Sequence, residues 1–239
     1  MSRTISTPSS VSDLEGGLRI PAGVHDFEEF RRWSCSDQFP EQGRIDYLQG
    51  DVEVDMSPEE LFTHGTPKAA IGAGLYTLIG LPDLGLVFID RARVVSPGAR
   101  LSVEPDIVVV LRESLDANRV RPVASTRPGR YLELEGAPDL VVEILSDSSV
   151  AKDRKRLPHL YAQAGIPELW LTDARREPLS FEIWTLGKDG YTRVPPDGPG
   201  PDAWTASPLL RRRFRLRRLD AHGSGFVNYK LESEPWPMA

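Results

Sequence analysis

Two apolar segments of this chain open on a proline–acid pair and then run through β-branched residues. Residues 104–111 read EPDIVVVL and residues 138–145 read PDLVVEIL. A near-continuous Val/Ile/Leu run is a strand buried on both faces, so each segment belongs inside a sheet with layers above and below it. The second run also carries a carboxylate, Glu143, at its centre. A buried carboxylate loses its hydration, and hydrogen bonds, a cationic side chain or a metal ion must offset the loss. Whether the chain is an enzyme turns on what compensates Glu143.

The patterning around these runs predicts a mixed α/β fold. Residues 24–34 space Val24, Phe27, Phe30 and Trp33 every three positions, which predicts an amphipathic helix. Residues 44–56 predict two strands about a Gln49–Gly50 turn. Ala69 through Leu81 has helical spacing, and its small residues suggest close packing on a sheet. GLVFIDRARVV and EPDIVVVL read as strands, with GARLS as a turn between them, and residues 112–130 as a polar loop with room for a short helix. Residues 149–164 predict a helix capped by Ser148 or Ser149 and ended by Gly165, with Pro158 marking a kink or a late start. The segments PELWLTD, SFEIWTL, GYTRVP and FRLRRL, broken by Gly and Pro, suggest a strand followed by hairpins. The expected organisation is a disordered leader over 1–17 and a single domain over 18–239. That domain has a core at about 24–186 and a C-terminal β-hairpin extension over 187–239.

Composition narrows the function. With 239 residues the chain can bury a sizeable core. A net charge of −6 excludes a general polyanion binder, so any nucleic-acid contact falls to a local basic patch. The single cysteine, Cys35, excludes an internal disulfide and a cysteine-based zinc site, and fits a reducing compartment. No apolar run approaches the roughly 18 residues of a membrane span, and the N-terminus lacks a charged-then-apolar signal pattern. The expected location is the cytoplasm, with no membrane partner.

If the two acid-bearing strands are neighbours, Asp106 and Glu143 converge. Hard divalent cations such as Mg²⁺, with Mn²⁺ as a substitute, take such sparse oxygen ligation and complete it with water and a substrate phosphate. The segment KDRKR at 152–156 follows the Glu143 strand, and a lysine there can hold an attacking water or stabilise charge growing on phosphate. Other readings stay open. Asp106 can be a turn or capping acid, Glu143 can pair with an arginine, and Lys152 and Lys155 can lie on a solvated helix face.

These residues resemble the Uma2 family, within the PD-(D/E)xK nuclease superfamily. The resemblance rests on HGTPKAAI, EPDIVVVL, GAPDLVVEILSDSS and KDRKRLPHLYAQAGIPELWLTDA, and spans roughly residues 24–186. It implies a restriction-endonuclease-like core, a central mixed sheet flanked by helices, and a Mg²⁺-dependent phosphodiesterase site. Asp106 matches the first acid and Glu143 the second. His64 matches a histidine of the helix before the core, as a ligand, a phosphate contact or a structural cap. The superfamily lysine two residues after the second acid is here Leu145. The alternative family position, four residues after an aspartate, counts from Asp153 to Leu157. The ammonium is then supplied by Lys152, the nearer to the strand end, or Lys155. Tyr161, Trp170 and Asp173 also match the family text. Tyr161 and Trp170 are expected to wedge helix against sheet, and Asp139 reads as a loop or turn acid.

Residues 211–218, RRRFRLRR, carry six arginines. Extended, they place Phe214 and Leu216 on one face and Arg213, Arg215 and Arg217 on the other. With Arg211 these form a strip suited to phosphate, or a charged guard on an edge strand. The expected function is Mg²⁺-dependent hydrolysis of DNA phosphodiester bonds, with a homodimer by analogy to nucleases that cut both strands. A catalytically inactive nuclease fold binding DNA or a partner is the alternative. A metal-dependent hydrolase of another substrate is the third.

Overall fold

The strand Leu140–Ile144 pairs antiparallel with Ile107–Leu111 on one side and parallel with Glu168–Asp173 on the other. A parallel pair cannot be joined by a tight turn and needs a crossover. Residues 145–167 supply it, including a π-helical turn, Lys152–Arg156, that runs straight into the α-helix Leu157–Ala164. Gly165, at φ 78°, ends this helix in the left-handed region, as the sequence predicts. Pro158 falls at the junction of the π-helical turn and the α-helical part, in the latter's first turn.

The computed structural model describes residues 2–6, 12–13, 19–21, 24–125, 129–200, 202–220 and 226–236. It is mixed α/β. A six-stranded mixed sheet runs Gly190–Arg193, Ser180–Gly187, Glu168–Asp173, Leu140–Ile144, Ile107–Leu111, Gly85–Ile89. A seven-stranded sheet runs Ser2–Ser6, Asp51–Asp55, Arg44–Leu48, Leu101–Val103, Arg93–Ser96, Tyr131–Gly136, Val120–Ala124. The strands Thr205–Ser207, Arg212–Asp220 and Val227–Pro235 form a third, antiparallel sheet. Most of the leader expected over 1–17 lies outside the described residues. Within it, Ser2–Ser6 pairs with Asp51–Asp55.

Alternation on the central strands sorts the core into two layers. Val108, Val110 and Val141 face Leu157, Leu160 and Tyr161 of the crossover helix. Ile107, Val109, Leu140 and Val142 face the helix Thr66–Leu75 and the third sheet. That helix begins earlier than the sequence predicts. A π-helical turn, Leu61–Gly65, precedes it because the Glu60 carboxylate caps the free N–H groups of Phe62 and Thr63. Its small residues do allow close approach: a Cβ on Gly72 would lie 2.5 Å from Ile89 Cδ1, and one on Gly74 2.8 Å from Leu231 Cδ2. The helix Phe27–Ser34, capped by Asp26, packs Phe27, Phe30 and Trp33 on the seven-stranded sheet.

Residues 112–130 hold the short helix that the sequence allows and depart from the expected loop in a strand. The helix Arg112–Asp116 is followed by a strand, Val120–Ala124, that pairs with Tyr131–Gly136. Asp139 organises this corner: it accepts the Leu111 N–H at 2.7 Å and the Ser114 hydroxyl at 2.6 Å. Among the described residues no helix is long and apolar enough to cross a membrane.

Candidate active site

The register of the two acid strands decides where their carboxylates meet. Val142 stands opposite Ile107, so the next position brings Asp106 beside Glu143. Asp106 extends the ladder with its side chain, Oδ2 accepting the Ile144 N–H at 2.8 Å. Its Oδ1 accepts from Arg44 Nη2 at 2.7 Å, and His64 Nε2 lies 3.4 Å from Oδ2. Burial alone would raise this carboxyl, but Arg44 and His64 more than offset it and hold it well below the usual carboxylate range.

Glu143 is compensated far less. Its Oε1 accepts the Tyr161 hydroxyl at 2.5 Å, while Oε2 is buried without a hydrogen-bond partner. Burial, then the charges of Asp153 and Asp106, push its pKa well above normal. Asp153 behaves alike: its Oδ1 is buried and unpartnered, and burial pushes the carboxyl up to about 6 even beside Lys152. Lys152 Nζ donates to Asp46 Oδ2 at 2.7 Å, and Asp46 Oδ1 accepts the Glu104 N–H at 3.1 Å. Burial disfavours the ammonium, but Asp46 and Asp153 outweigh it and keep Lys152 charged.

Two of the three π-helical turns among the described residues, Lys152–Arg156 and Leu61–Gly65, bear on this site, a common use of the π-bulge. Lys152 and Asp153, adjacent in sequence, both turn inward from one of them. The other holds His64, whose Nδ1 lies 2.7 Å from Glu59 Oε1. Glu59 also binds Lys68 Nζ at 2.7 Å. His64 and Lys68, four residues apart, share one helix face. Burial opposes protonation of His64, yet Asp106 and Glu59 raise its pKa above the ordinary value.

These groups sit in and under a cleft of about 390 Å³ whose walls include Arg44, His64, Lys68 and Lys152. Asp106, Glu143 and Asp153 lie beneath it, each at most 1% exposed. Lys155 is exposed and does not line the cleft. Leu145 and Leu157, at the two family lysine positions, are buried in the apolar layer under the crossover helix. Cys35 lies elsewhere, and burial pushes its thiol up to about 11, away from nucleophilic use.

The arginine strip is placed as the alternation predicts, with Phe214 and Leu216 buried. Three of its cations are already paired. Arg213 meets Asp197 and Glu234, Arg215 meets Glu232 at 2.7 Å, and Arg217 meets Asp202 at 3.5 Å. Arg215 also stacks over Trp204, 4.5 Å from the ring centroid. Arg211 is exposed at the turn that opens this strand. The strip is not among the residues lining the cleft.

A divalent cation is the group the resemblance implies. Among the described residues no three His, Cys, Asp or Glu side chains form a ready metal-binding group. The donor set nonetheless fits a hard ion: two buried carboxylate oxygens, Glu143 Oε2 and Asp153 Oδ1, have no partner, and Asp106 lies beside them.

Sequence reasoning missed Arg44, Asp46, Glu59, Lys68 and Asp153, and took Tyr161 for packing alone. Asp46 carried a usable signal, since an acid in the strand RIDYL repeats the anomaly of Glu143. The four-residue spacing of His64 and Lys68 was another. Glu59 carried none. Trp170 meets Phe181 edge-on and Phe214 at a tilt, with its N–H on Glu168; both rings come from strands, so these contacts pack strand and sheet rather than the expected helix on sheet. Asp173 pairs with Arg175 at 2.9 Å.

Fold and site together define a nuclease-like α/β protein. The family model described as "Uma2: Putative restriction endonuclease" matches residues 27–219. The chain belongs to the Uma2 family. A crystal structure of a protein from Anabaena variabilis, described as a putative nuclease belonging to DUF820, superposes with a TM-score of 0.52 at 16% identity. The match covers 77% of this chain and 89% of that one. No curated protein matches.

Proposed function

We propose that this chain is a Mg²⁺-dependent endonuclease-like phosphodiesterase acting on DNA, with residues 18–239 as one functional domain. The observation that carries the reading is the pair of buried, unpartnered carboxylate oxygens, Glu143 Oε2 and Asp153 Oδ1, beside Asp106 under a cation-walled cleft. Unpaired buried carboxylates oppose folding, so their presence calls for a ligand. Asp106, Glu143 and Asp153 would hold the ion. A divalent cation, when bound, supplies Lewis-acid activation of water and neutralises charge on phosphate.

The chain's own groups divide the remaining tasks. Lys152 stays protonated beside Asp46. It therefore orients water or steadies phosphate charge and does not serve as a base. It stands in for the lysine absent at Leu145 and Leu157, a role that exposed Lys155 does not share. His64 and Lys68, both held by Glu59, face the cleft as phosphate donors. Cytoplasmic location and pairing of two copies, one per DNA strand, belong to the same proposal.

The test is calorimetric titration of Mg²⁺ and Mn²⁺ into wild type and Glu143→Ala, followed by cleavage assays on DNA, RNA and small phosphodiesters. Millimolar or tighter binding lost in the variant, with DNA cleavage lost in Lys152→Ala, is the expected outcome. A folded wild type that binds no divalent ion overturns the reading in favour of an inactive binding module.

A further inference from the structure

The cationic side chains that wall the cleft above the buried acids are not equivalent. Lys152 is bound to Asp46 and His64 is anchored by Glu59, each with a carboxylate partner outside the acid group just described. Arg44 reaches furthest into the group, its Nη2 2.7 Å from Asp106 Oδ1, against 3.4 Å from His64 Nε2 to Asp106 Oδ2. Its side chain is 22% exposed and lines the cleft, whereas Asp106 is fully buried and does not. Arg44 thus stands between the cleft and an acid that a divalent ion would need.

We infer that Arg44 is a resident counter-ion that occupies Asp106 until a divalent cation displaces it, and so sets the affinity of the site for metal. The inference rests on the metal reading above. The guanidinium and the ion compete for the same carboxylate oxygen, and both relieve the same concentration of negative charge. Bidentate-capable, weakly hydrated guanidinium is well suited to such a buried pair. Metal entry then requires Arg44 to swing towards the cleft, where it meets substrate phosphate. Binding of the ion and of phosphate become linked through one side chain, and the site avoids holding metal tightly in the absence of substrate.

Arg44→Met removes the competitor and leaves Asp106 with the Ile144 N–H and His64. Loss of a charge-assisted contact predicts Mn²⁺ binding about tenfold tighter or more than wild type by calorimetry. Mn²⁺ should also raise the melting temperature of the variant more than that of wild type, because the ion replaces the missing cation. Arg44→Lys retains a charge of different shape and should bind Mn²⁺ with intermediate affinity. If Arg44→Met does not fold, the Lys variant decides. Wild type that binds Mn²⁺ while the folded variants bind it no tighter overturns the Arg44 inference alone. Absence of binding in wild type and variants overturns the metal reading and this inference with it.

Discussion

The hydrogen bond from Tyr161 to Glu143 offers a stringent test of how the site is held. Both side chains are buried, and the Tyr161 hydroxyl, 2.5 Å from Oε1, is the hydrogen-bond donor that Glu143 has. Tyr161→Phe leaves the volume almost unchanged and strips the carboxyl of that donor. A buried acceptor left unsatisfied costs about 1–3 kcal/mol. For a domain of this length each kcal/mol shifts the melting temperature by about 2–4 °C, so a fall of about 2–12 °C is expected. Thermal melts of a double-mutant cycle isolate the contact. In a Glu143→Leu background the hydroxyl itself becomes the orphan, so Tyr161→Phe should cost nothing or stabilise. Equal costs in the two backgrounds, with a coupling below about 0.5 kcal/mol, would refute the pairing.

Other expectations follow from neighbouring features. Leu157 lies one α-helical turn before Tyr161, whose hydroxyl reaches Glu143, so Leu157→Lys should bring an ammonium to the unpartnered acids. Its melting temperature should stay well above that of Leu160→Lys, whose charge enters the same apolar layer without a partner and costs about 3 kcal/mol or more. Burial raises the pKa of Glu168 in spite of donors from Ser207, Trp170 and Leu209. A raised carboxyl adds stability below its unfolded pKa and loses it as pH rises through the folded one. Stability should therefore decline from about pH 4 upward through that value, and Glu168→Gln should flatten the decline in denaturant titrations at several pH values. Because Arg213, Arg215 and Arg217 already pair with acids, their alanine variants should leave DNA affinity within about twofold. A fall of about one in the salt slope per residue would return the strip to the nucleic-acid surface.

Much of the fold was legible because the central strands obey simple patterning. Runs such as IVVVL and LVVEI are sandwiched, and the Gln49–Gly50 turn and Gly165 stop are where punctuation places them. The strand Val120–Ala124 was hidden because its residues are largely exposed and its pairing with Tyr131–Gly136 comes from tertiary context. The site was half legible. Asp106 and Glu143 stand out as acids in apolar strands, and their meeting follows from one register. Arg44 and Glu59 come from elements far away in sequence, and no local spacing ties them to Asp106. Asp153 was obscured by a helix whose five-residue turn defeats the ordinary helical count.

The contact between Asp106 Oδ2 and the Ile144 N–H has a consequence for how such a chain can age. Asp106 splices two strands, so the sheet itself has a use for it apart from any chemistry. Glu143 and Asp153 are liabilities to folding, each with an oxygen that holds nothing. A lineage freed from catalysis would gain stability by shedding them, and drift would erase those two first. On the proposed reading, the acids that weaken the fold, rather than the one that mends it, are those a bound cation would justify.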